Sequence, residues 1–154
     1  RTRGSVCVED KTNELLRAFN RIDKELDDVY HEVALRMNIS DSAFTIFYII
    51  HELGDGCLQK DICREAFANK QTVHSSIQKL EREGYLYLQQ GRGRDKHICL
   101  TKKGKEFVET NIVPVVQKEN EAFISLLPQE QEELLRLTQK YIKSLKEKLK
   151  QSQL

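Results

Sequence analysis

The sequence has few of the residues that interrupt helices, and its cysteines form no recognisable framework. Its 154 residues include no Trp, two Pro and seven Gly, whereas 32% are Asp, Glu, Lys or Arg. None of the four cysteines, Cys7, Cys57, Cys63 and Cys99, belongs to a Cys-x-x-Cys pair. This spacing does not indicate a zinc or dithiol motif, so we expect a helix-rich protein with free thiols in a reducing compartment.

Long apolar runs and catalytic patterns are missing as well. No apolar run approaches the roughly 20 residues that a membrane helix requires, and no signal-peptide pattern opens the sequence. We therefore expect one cytoplasmic domain with no membrane partner. Because no nucleophile–base pair, phosphate loop or paired-carboxylate pattern occurs, we expect neither an enzyme nor a cofactor. His31, His51, His74 and His97 lack the usual spacing of metal ligands, so no metal site is predicted.

Apolar residues recur at helical spacing towards both ends of the chain. One stripe predicts a helix over 13–37, and another predicts a helix over 128–150 that begins at Pro128. A further helix is expected from Thr101 to Leu126, and Pro114 should kink it or divide it in two. A small lobe cannot cover all these stripes, so a second copy of the chain is the economical partner. Packing of the helices on their own domain is the alternative.

The middle of the chain has the order of a winged helix. Residues 42–53 are apolar on nearly all sides and predict a buried helix, capped by Ser40 or Asp41. A short helix at 58–66, a turn at 67–69 and a longer helix at 70–83 follow, and then two strands at 85–89 and 97–100. The predicted fold is mainly α with a small β-hairpin, a winged helix-turn-helix flanked by long dimerisation helices.

Charge is concentrated in this same segment. Residues 57–104 contain ten Lys and Arg and five Asp and Glu, a net charge of +5, whereas the whole chain is +1. Such a distribution is typical of a surface that meets DNA phosphates.

Candidate DNA contacts follow from the polar positions of the second helix and from the hairpin tip. Their donors and acceptors suit base edges and phosphates, and arginine suits a narrow minor groove. An ordinary solvated helix face and a solubilising loop are the alternatives. The candidates are Lys70, Gln71, Thr72, His74, Ser75, Gln78, Lys79, Arg92, Arg94 and Lys96.

Four short motifs resemble the MarR family of multiple-antibiotic-resistance regulators. Lys60-Asp61-Ile62-Cys63 opens the helix-turn-helix, Thr72-Val73 and Leu80-Glu81-Arg82-Glu83-Gly84-Tyr85-Leu86 belong to the recognition helix and its exit, and Leu100-Thr101-Lys102-Lys103-Gly104 follows the wing. The resemblance implies one MarR-like domain over 1–154, with a winged lobe at 40–104 and dimerisation helices at 13–37 and 105–150.

The wing departs from the family pattern. Relatives carry Asp-x-Arg before the final Leu, and the matching positions here are Arg92 and Arg94. The resemblance implies that Arg94 enters the minor groove. Asp95 is the acid nearest in sequence and therefore the candidate to orient that arginine.

The resemblance also implies partners. They are double-stranded DNA with a palindromic operator, a second copy of the chain in a homodimer, and a small aromatic effector. As a hypothesis, such an effector would bind a cleft lined by the helix that carries Phe44, Phe47 and Tyr48; the alternative is that these aromatics belong to the core. The protein would most simply be a repressor. Two alternatives stay open: a winged-helix protein-interaction module without promoter binding, and an oxidant sensor that uses a cysteine, as Cys7 near the first helix suggests.

Overall fold

The computed structural model describes residues 8–152, which form helices, a small sheet and one π-helical segment. The elements in chain order are α1 (Val8–Arg36), α2 (Asp41–Leu53), β1 (Cys57–Leu58), α3 (Gln59–Ala66), α4 (Lys70–Arg82), β2 (Leu86–Gln90), β3 (Lys96–Leu100), α5 (Lys102–Phe107), a π-helical segment (Val108–Ile112), α6 (Val113–Phe123) and α7 (Pro128–Gln151). The chain divides into two compact units, one reaching to Val108 and the other starting at Glu109. The predicted class, mainly α with a winged helix-turn-helix, is confirmed.

The corner between α1 and α2 is closed by backbone and side-chain hydrogen bonds. Ile39 N donates to Ala34 O at 3.1 Å, and the intervening Asn38 has a φ of +56°. Ser40 caps α2, since its hydroxyl accepts a hydrogen bond from Ala43 N at 3.1 Å. Of the two predicted caps, Ser40 is therefore the one used. Asp41 instead accepts a hydrogen bond from the imidazole of His31 on α1, at 2.9 Å.

Helix α2 lies at the centre of the first unit, as its composition predicted. Six of its thirteen residues are buried, and Phe47 has no exposed surface. The Phe47 ring contacts the rings of Tyr85 and Phe107, with centroids 5.5 and 4.7 Å away. Burial of each such side chain contributes about 1.5–3 kcal/mol, so this centre holds α3, α4 and the sheet in place.

The sheet has three strands in the order β1-β3-β2, all antiparallel. The predicted hairpin is present, with Leu86 opposite Leu100 and Leu88 opposite Ile98. Strand β1 was not predicted, because two residues are too short to show an alternating pattern. It adds to the edge of β3, where Cys57 lies opposite Ile98.

Two glycines and a threonine fix the passage from α4 through the wing to α5. Thr101 caps α5 by accepting from Gly104 N at 3.1 Å, and it donates to Gly84 O at 2.6 Å. Gly84 has a φ of +83°, which favours glycine. A Cβ atom at Gly104 would overlap the carbonyl oxygen of Tyr85. The Leu-Thr-x-x-Gly motif therefore acts through packing, because it holds the start of α5 against the end of α4.

Pro114 divides the predicted helix over 101–126, as expected. The five residues from Val108 to Ile112 form the π-helical segment, and Pro114 lies in the first turn of α6. A proline ring removes one backbone donor and clashes with the carbonyl four residues earlier, and a wider turn before it relieves that clash.

Helix α7 begins at Pro128, as predicted. The backbone N–H of Leu127 donates to the Glu130 carboxylate at 2.7 Å, which satisfies one amide at this end of the helix. Seven of its large apolar side chains lie on the surface: Leu134, Leu135, Leu137, Tyr141, Ile142, Leu145 and Leu149.

Within residues 8–152, no single helix is both long enough and apolar enough to cross a membrane. The pair Lys11–Arg36 and Asp41–Leu53 reaches that length and composition only when taken together, across a bend of 92°. The second member of this pair is α2, the buried centre of the first unit.

Candidate nucleic-acid interface

Helix α4 buries one face and exposes the other. Asn69 caps it, since its side-chain oxygen accepts from Thr72 N at 2.8 Å. Val73, Ile77 and Leu80 are buried against the core, as predicted. The opposite face carries the predicted polar residues, of which six are exposed and His74 is half-buried. The exposed six are Lys70, Gln71, Thr72, Ser75, Gln78 and Lys79.

Two of these α4 residues are engaged within the chain. The ring Nδ1 of His74 lies 3.4 Å from the side-chain nitrogen of Gln59, which links α4 to α3. Lys79 Nζ lies 3.9 Å from a carboxylate oxygen of Glu83, one helical turn further on. The exposed side chains of the first turn, Lys70, Gln71 and Thr72, make no such contact within residues 8–152.

The tip of the wing is a tight turn held by backbone hydrogen bonds. Gly91 N donates to Asp95 O at 2.9 Å, and Asp95 N donates to Arg92 O at 3.0 Å. The side chain of Gln90 donates to Gly93 O at 2.8 Å. Gly93 has a φ of +60°, a conformation that side chains rarely adopt. This turn exposes Arg92 and Arg94 at the tip.

Asp95 pairs with Lys60 of α3, with the two side chains 3.2 Å apart. The expectation that Asp95 would orient Arg94 is therefore wrong for this structure, because the carboxylate points back to the helix-turn-helix. Neither Arg92 nor Arg94 makes an ion pair within residues 8–152. Sequence reasoning missed Lys60, whose partner lies 35 residues away and has no local spacing signal.

A cleft of about 470 Å³ lies between the helix-turn-helix and the wing. Lys70 and His74 of α4 line it together with Arg94 and Lys96 of the wing, so four of the predicted contacts meet there. Lys60, Gln59 and Cys63 of α3 complete the cleft along with Leu58 and Asp95. The other six predicted residues lie outside it: Gln71, Thr72, Ser75, Gln78, Lys79 and Arg92.

Several cations of the basic segment have structural partners instead. Arg64 lies 3.1 Å from Asp61, and Lys103 donates to Glu83 O at 2.7 Å while lying over the Tyr85 ring. By contrast, no ion pair occurs within residues 8–152 for six other basic side chains of this segment: Lys70, Arg82, Arg92, Arg94, Lys96 and Lys102. Four of these six cations lie at the start of α4 and on the wing, whereas Arg82 ends α4 and Lys102 begins α5.

The cysteines occupy different environments. Burial and the nearby Asp61 carboxylate raise the pKa of the Cys57 thiol to about 11. At neutral pH that thiol stays protonated and is a poor nucleophile. Cys63 is half-buried in the cleft and Cys99 is buried in β3. Cys7, the suggested oxidant sensor, lies outside the described residues.

The predicted aromatic cleft on α2 is largely core. Phe47 is fully buried and Phe44 nearly so, which is the alternative of a place in the core, and Phe47 therefore does not line an open cleft. The Phe44 ring lies between those of Tyr30 and Tyr48, with centroids 6.0 and 5.9 Å away. A hollow of about 350 Å³ opens beside Phe44, and Tyr30, His31 and Asp41 also line it.

Comparison with known proteins shows a likeness to one family. A family model described as the MarR family matches residues 37–96. The Staphylococcus aureus MepR–DNA complex is similar, with 25% identity and a TM-score of 0.65, over 84% of this chain and 96% of the other. None of the curated proteins compared with the chain matches it significantly.

Two further solved structures share the fold. A MarR family regulator from Neisseria meningitidis has a TM-score of 0.76 at 18% identity, over 90% of this chain and 98% of the other. Staphylococcus aureus MarR in complex with salicylate and kanamycin has a TM-score of 0.66 at 18% identity, over 88% and 93%. The family model covers the winged lobe and the solved structures share the fold along the chain, so the lobe is similar in sequence to the MarR family and the chain has the fold of MarR family regulators.

Proposed function

We propose that the protein is a homodimeric, sequence-specific repressor that binds a palindromic operator in double-stranded DNA and responds to a small molecule. The observation that carries this proposal is the placement of unpaired cations on the N-terminal part of α4 and on the wing, on both sides of one cleft. A duplex laid against this surface would meet Lys70 from one side and Arg94 and Lys96 from the other.

Within this surface, we assign base reading to α4 and phosphate or minor-groove contact to the wing. Gln71 and Ser75 are exposed on the helix face opposite the core, where amide and hydroxyl groups suit base edges. The arginines at the wing tip suit the negative potential of a narrow minor groove. Lys79 is paired with Glu83 and lies further along the helix, so it ranks below Lys70 as a contact.

A second copy of the chain would cover apolar side chains that each unit leaves on its surface. Leu15 and Ile22 of α1 are 65% and 64% exposed, and Leu135 of α7 is 58% exposed. Exposed apolar side chains in such number on one helix are typical of an interaction site. A two-fold dimer would also supply two winged lobes for the two halves of a palindrome.

The proposed effector is a small aromatic molecule that shifts the protein between states with different DNA affinity. The Staphylococcus aureus MarR complex holds salicylate, which supports this class of ligand for a relative. In this chain, the hollow beside Tyr30 and Phe44 offers ring surface for such a molecule. Titration of salicylate should change operator affinity and melting temperature together.

Selection from a random pool of duplexes tests the proposed function. The recovered sequences should share a palindromic site, and the affinity for that site should fall steeply as salt rises, since several phosphates are neutralised. A protein-interaction module would instead give no enriched sequence and little dependence on salt. Placing the enriched site over a promoter and measuring transcription in vitro distinguishes repression from activation.

A further inference from the structure

We propose that Lys60 and Asp95 are positioning residues that set the distance between the wing and the recognition helix α4, and thereby the DNA sequences that the protein prefers. The inference rests on the proposed DNA-binding function. It concerns a pair in which neither residue was a predicted contact, and in which each residue belongs to a different arm of the interface.

The carboxylate of this pair is attached to a rigid turn. Asp95 accepts a hydrogen bond from Gly91 through its carbonyl oxygen and donates one to Arg92 O through its amide. Both backbone groups of Asp95 are thus fixed within the tip, and Lys96 directly after it begins β3. A displacement of the Asp95 side chain would therefore move the whole tip, including Arg94.

The lysine of the pair is attached to an equally fixed element. Lys60 is the second residue of α3, a helix anchored by the fully buried Ile62. The neighbouring Gln59 contacts His74 on α4 at 3.4 Å. Side-chain contacts therefore run from the wing to α3 and from α3 to α4, along one wall of the cleft.

The charges of the cleft explain why this pairing matters. Asp95 is the one carboxylate among the side chains that line the cleft, beside Lys60, Lys70, Arg94 and Lys96. A pair between Asp95 and Arg94 would neutralise the wing arginine and tie the tip to itself. The observed pair with Lys60 leaves Arg94 charged and ties the tip to the helix-turn-helix instead.

A charge swap separates positioning from simple electrostatics. Lys60→Asp lowers the net charge by two and Asp95→Lys raises it by two, whereas the double swap keeps both the charge and the pair. Affinity for the selected operator and for a random duplex is measured for each variant at several salt concentrations. Asp95→Asn and Lys60→Gln serve as milder versions, since they remove the pair with little change of shape.

If the pair positions the wing, both single swaps lower the ratio of operator to random affinity about tenfold, within the range that one mismatched base pair costs. The double swap should restore the ratio to within about threefold of the original protein. Melting temperatures should change little, because exposed ion pairs contribute little to stability. The matched control is Lys96→Asp, which changes charge on the wing without breaking a pair, and it should weaken both affinities while the ratio stays.

The inference is overturned if net charge alone explains the results. In that case Lys60→Asp weakens binding to both duplexes, Asp95→Lys strengthens binding to both, and the ratio of operator to random affinity stays unchanged in all three variants. That result would leave the proposed function intact, because the original protein would still select an operator. If the original protein selects no sequence and shows no dependence on salt, the proposed function fails, and this inference fails with it.

Discussion

At the scale of the residue, the Leu-Thr-x-x-Gly motif after the wing acts through packing. Gly104 lies so close to the Tyr85 carbonyl that no side chain fits, and Thr101 bonds to both ends of the passage around the wing. These residues hold the wing and α5 against the exit of α4. Their effect on DNA binding should therefore be indirect and accompanied by lost stability.

Substitution of Gly104 by Ala tests whether this close approach stabilises the fold. The added methyl group would overlap the Tyr85 carbonyl oxygen, so the backbone must move, and overpacking of this kind costs about 1–3 kcal/mol. For a chain of this length, that loss lowers the melting temperature by at least a few degrees. Lys102→Ala, an exposed change two residues earlier, is the control and should leave the melting temperature unaltered. Equal melting temperatures for both variants would contradict the close approach.

A second residue-scale prediction concerns the pH response of His31. The hydrogen bond to Asp41, followed by the attraction of the same carboxylate, raises the pKa of this imidazole above its usual 6.5. Since the folded-state pKa is raised, the pair stabilises the α1–α2 corner fully below about pH 6.5. That stabilisation is lost as pH rises through the folded-state pKa.

Nuclear magnetic resonance titration of the His31 ring measures this pKa directly. Asp41→Asn should lower it towards the ordinary value, because the variant loses both main causes of the shift. Asp28→Asn should lower it less, since Asp28 acts only through weaker attraction. An equal effect of the two variants would contradict the observed pairing.

At the scale of the element, most of the winged lobe could be predicted because periodicity and caps are local signals. The apolar run of α2, the inward face of α4 and the alternating strands β2 and β3 appear where they were expected. Strand β1 could not be predicted from two residues, and it forms only because Gly56 and Cys57 meet β3. The tie between Lys60 and Asp95 joins residues far apart in sequence, so it depends on tertiary structure.

A third prediction follows from the proposed roles of α4 in base reading and of the wing in phosphate or minor-groove contact. Gln71→Ala or Ser75→Ala should cost about 1–3 kcal/mol at particular base pairs and relax the preference there. Arg94→Ala should weaken binding to many sequences and flatten the salt dependence by about one unit, if it neutralises one phosphate. Arg92→Ala should act in the same direction more weakly, because Arg94 lines the cleft and Arg92 lies outside it.

Affinities for operator and random duplexes at several salt concentrations distinguish these effects. Lys118→Ala on α6, an exposed lysine outside the winged lobe, is the control for a simple loss of charge. If Arg94→Ala changes neither affinity nor salt slope, the wing does not contact DNA.

At the scale of the whole molecule, the excess positive charge and the exposed apolar side chains lie in different parts of the sequence. The net charge of +5 on residues 57–104 is offset by −4 on the remainder, while exposed apolar stripes lie on α1 and α7. A monomer would leave both stripes in water. A dimer that buried them would keep the basic lobes free for DNA, which is the arrangement that a palindromic operator requires.

The last prediction concerns this assembly. Sedimentation at micromolar concentration should report a dimer, and Ile22→Asp on α1 or Leu145→Asp on α7 should give a monomer. Each buried aliphatic side chain contributes about 1.5–3 kcal/mol, and a buried unpaired carboxylate costs more than that gain. Lys24→Asp, on the charged face of α1, introduces the same residue and should leave the dimer intact.

DNA binding should follow the assembly. Two lobes of a dimer read half-sites about 34 Å apart, so a monomeric variant should lose far more affinity for the full palindrome than for a single half-site. Both duplexes are therefore measured with the Ile22→Asp and Lys24→Asp proteins. If Ile22→Asp were monomeric yet bound the palindrome as tightly as the original protein, the exposed stripes would serve another partner, and one lobe would be enough to read the operator.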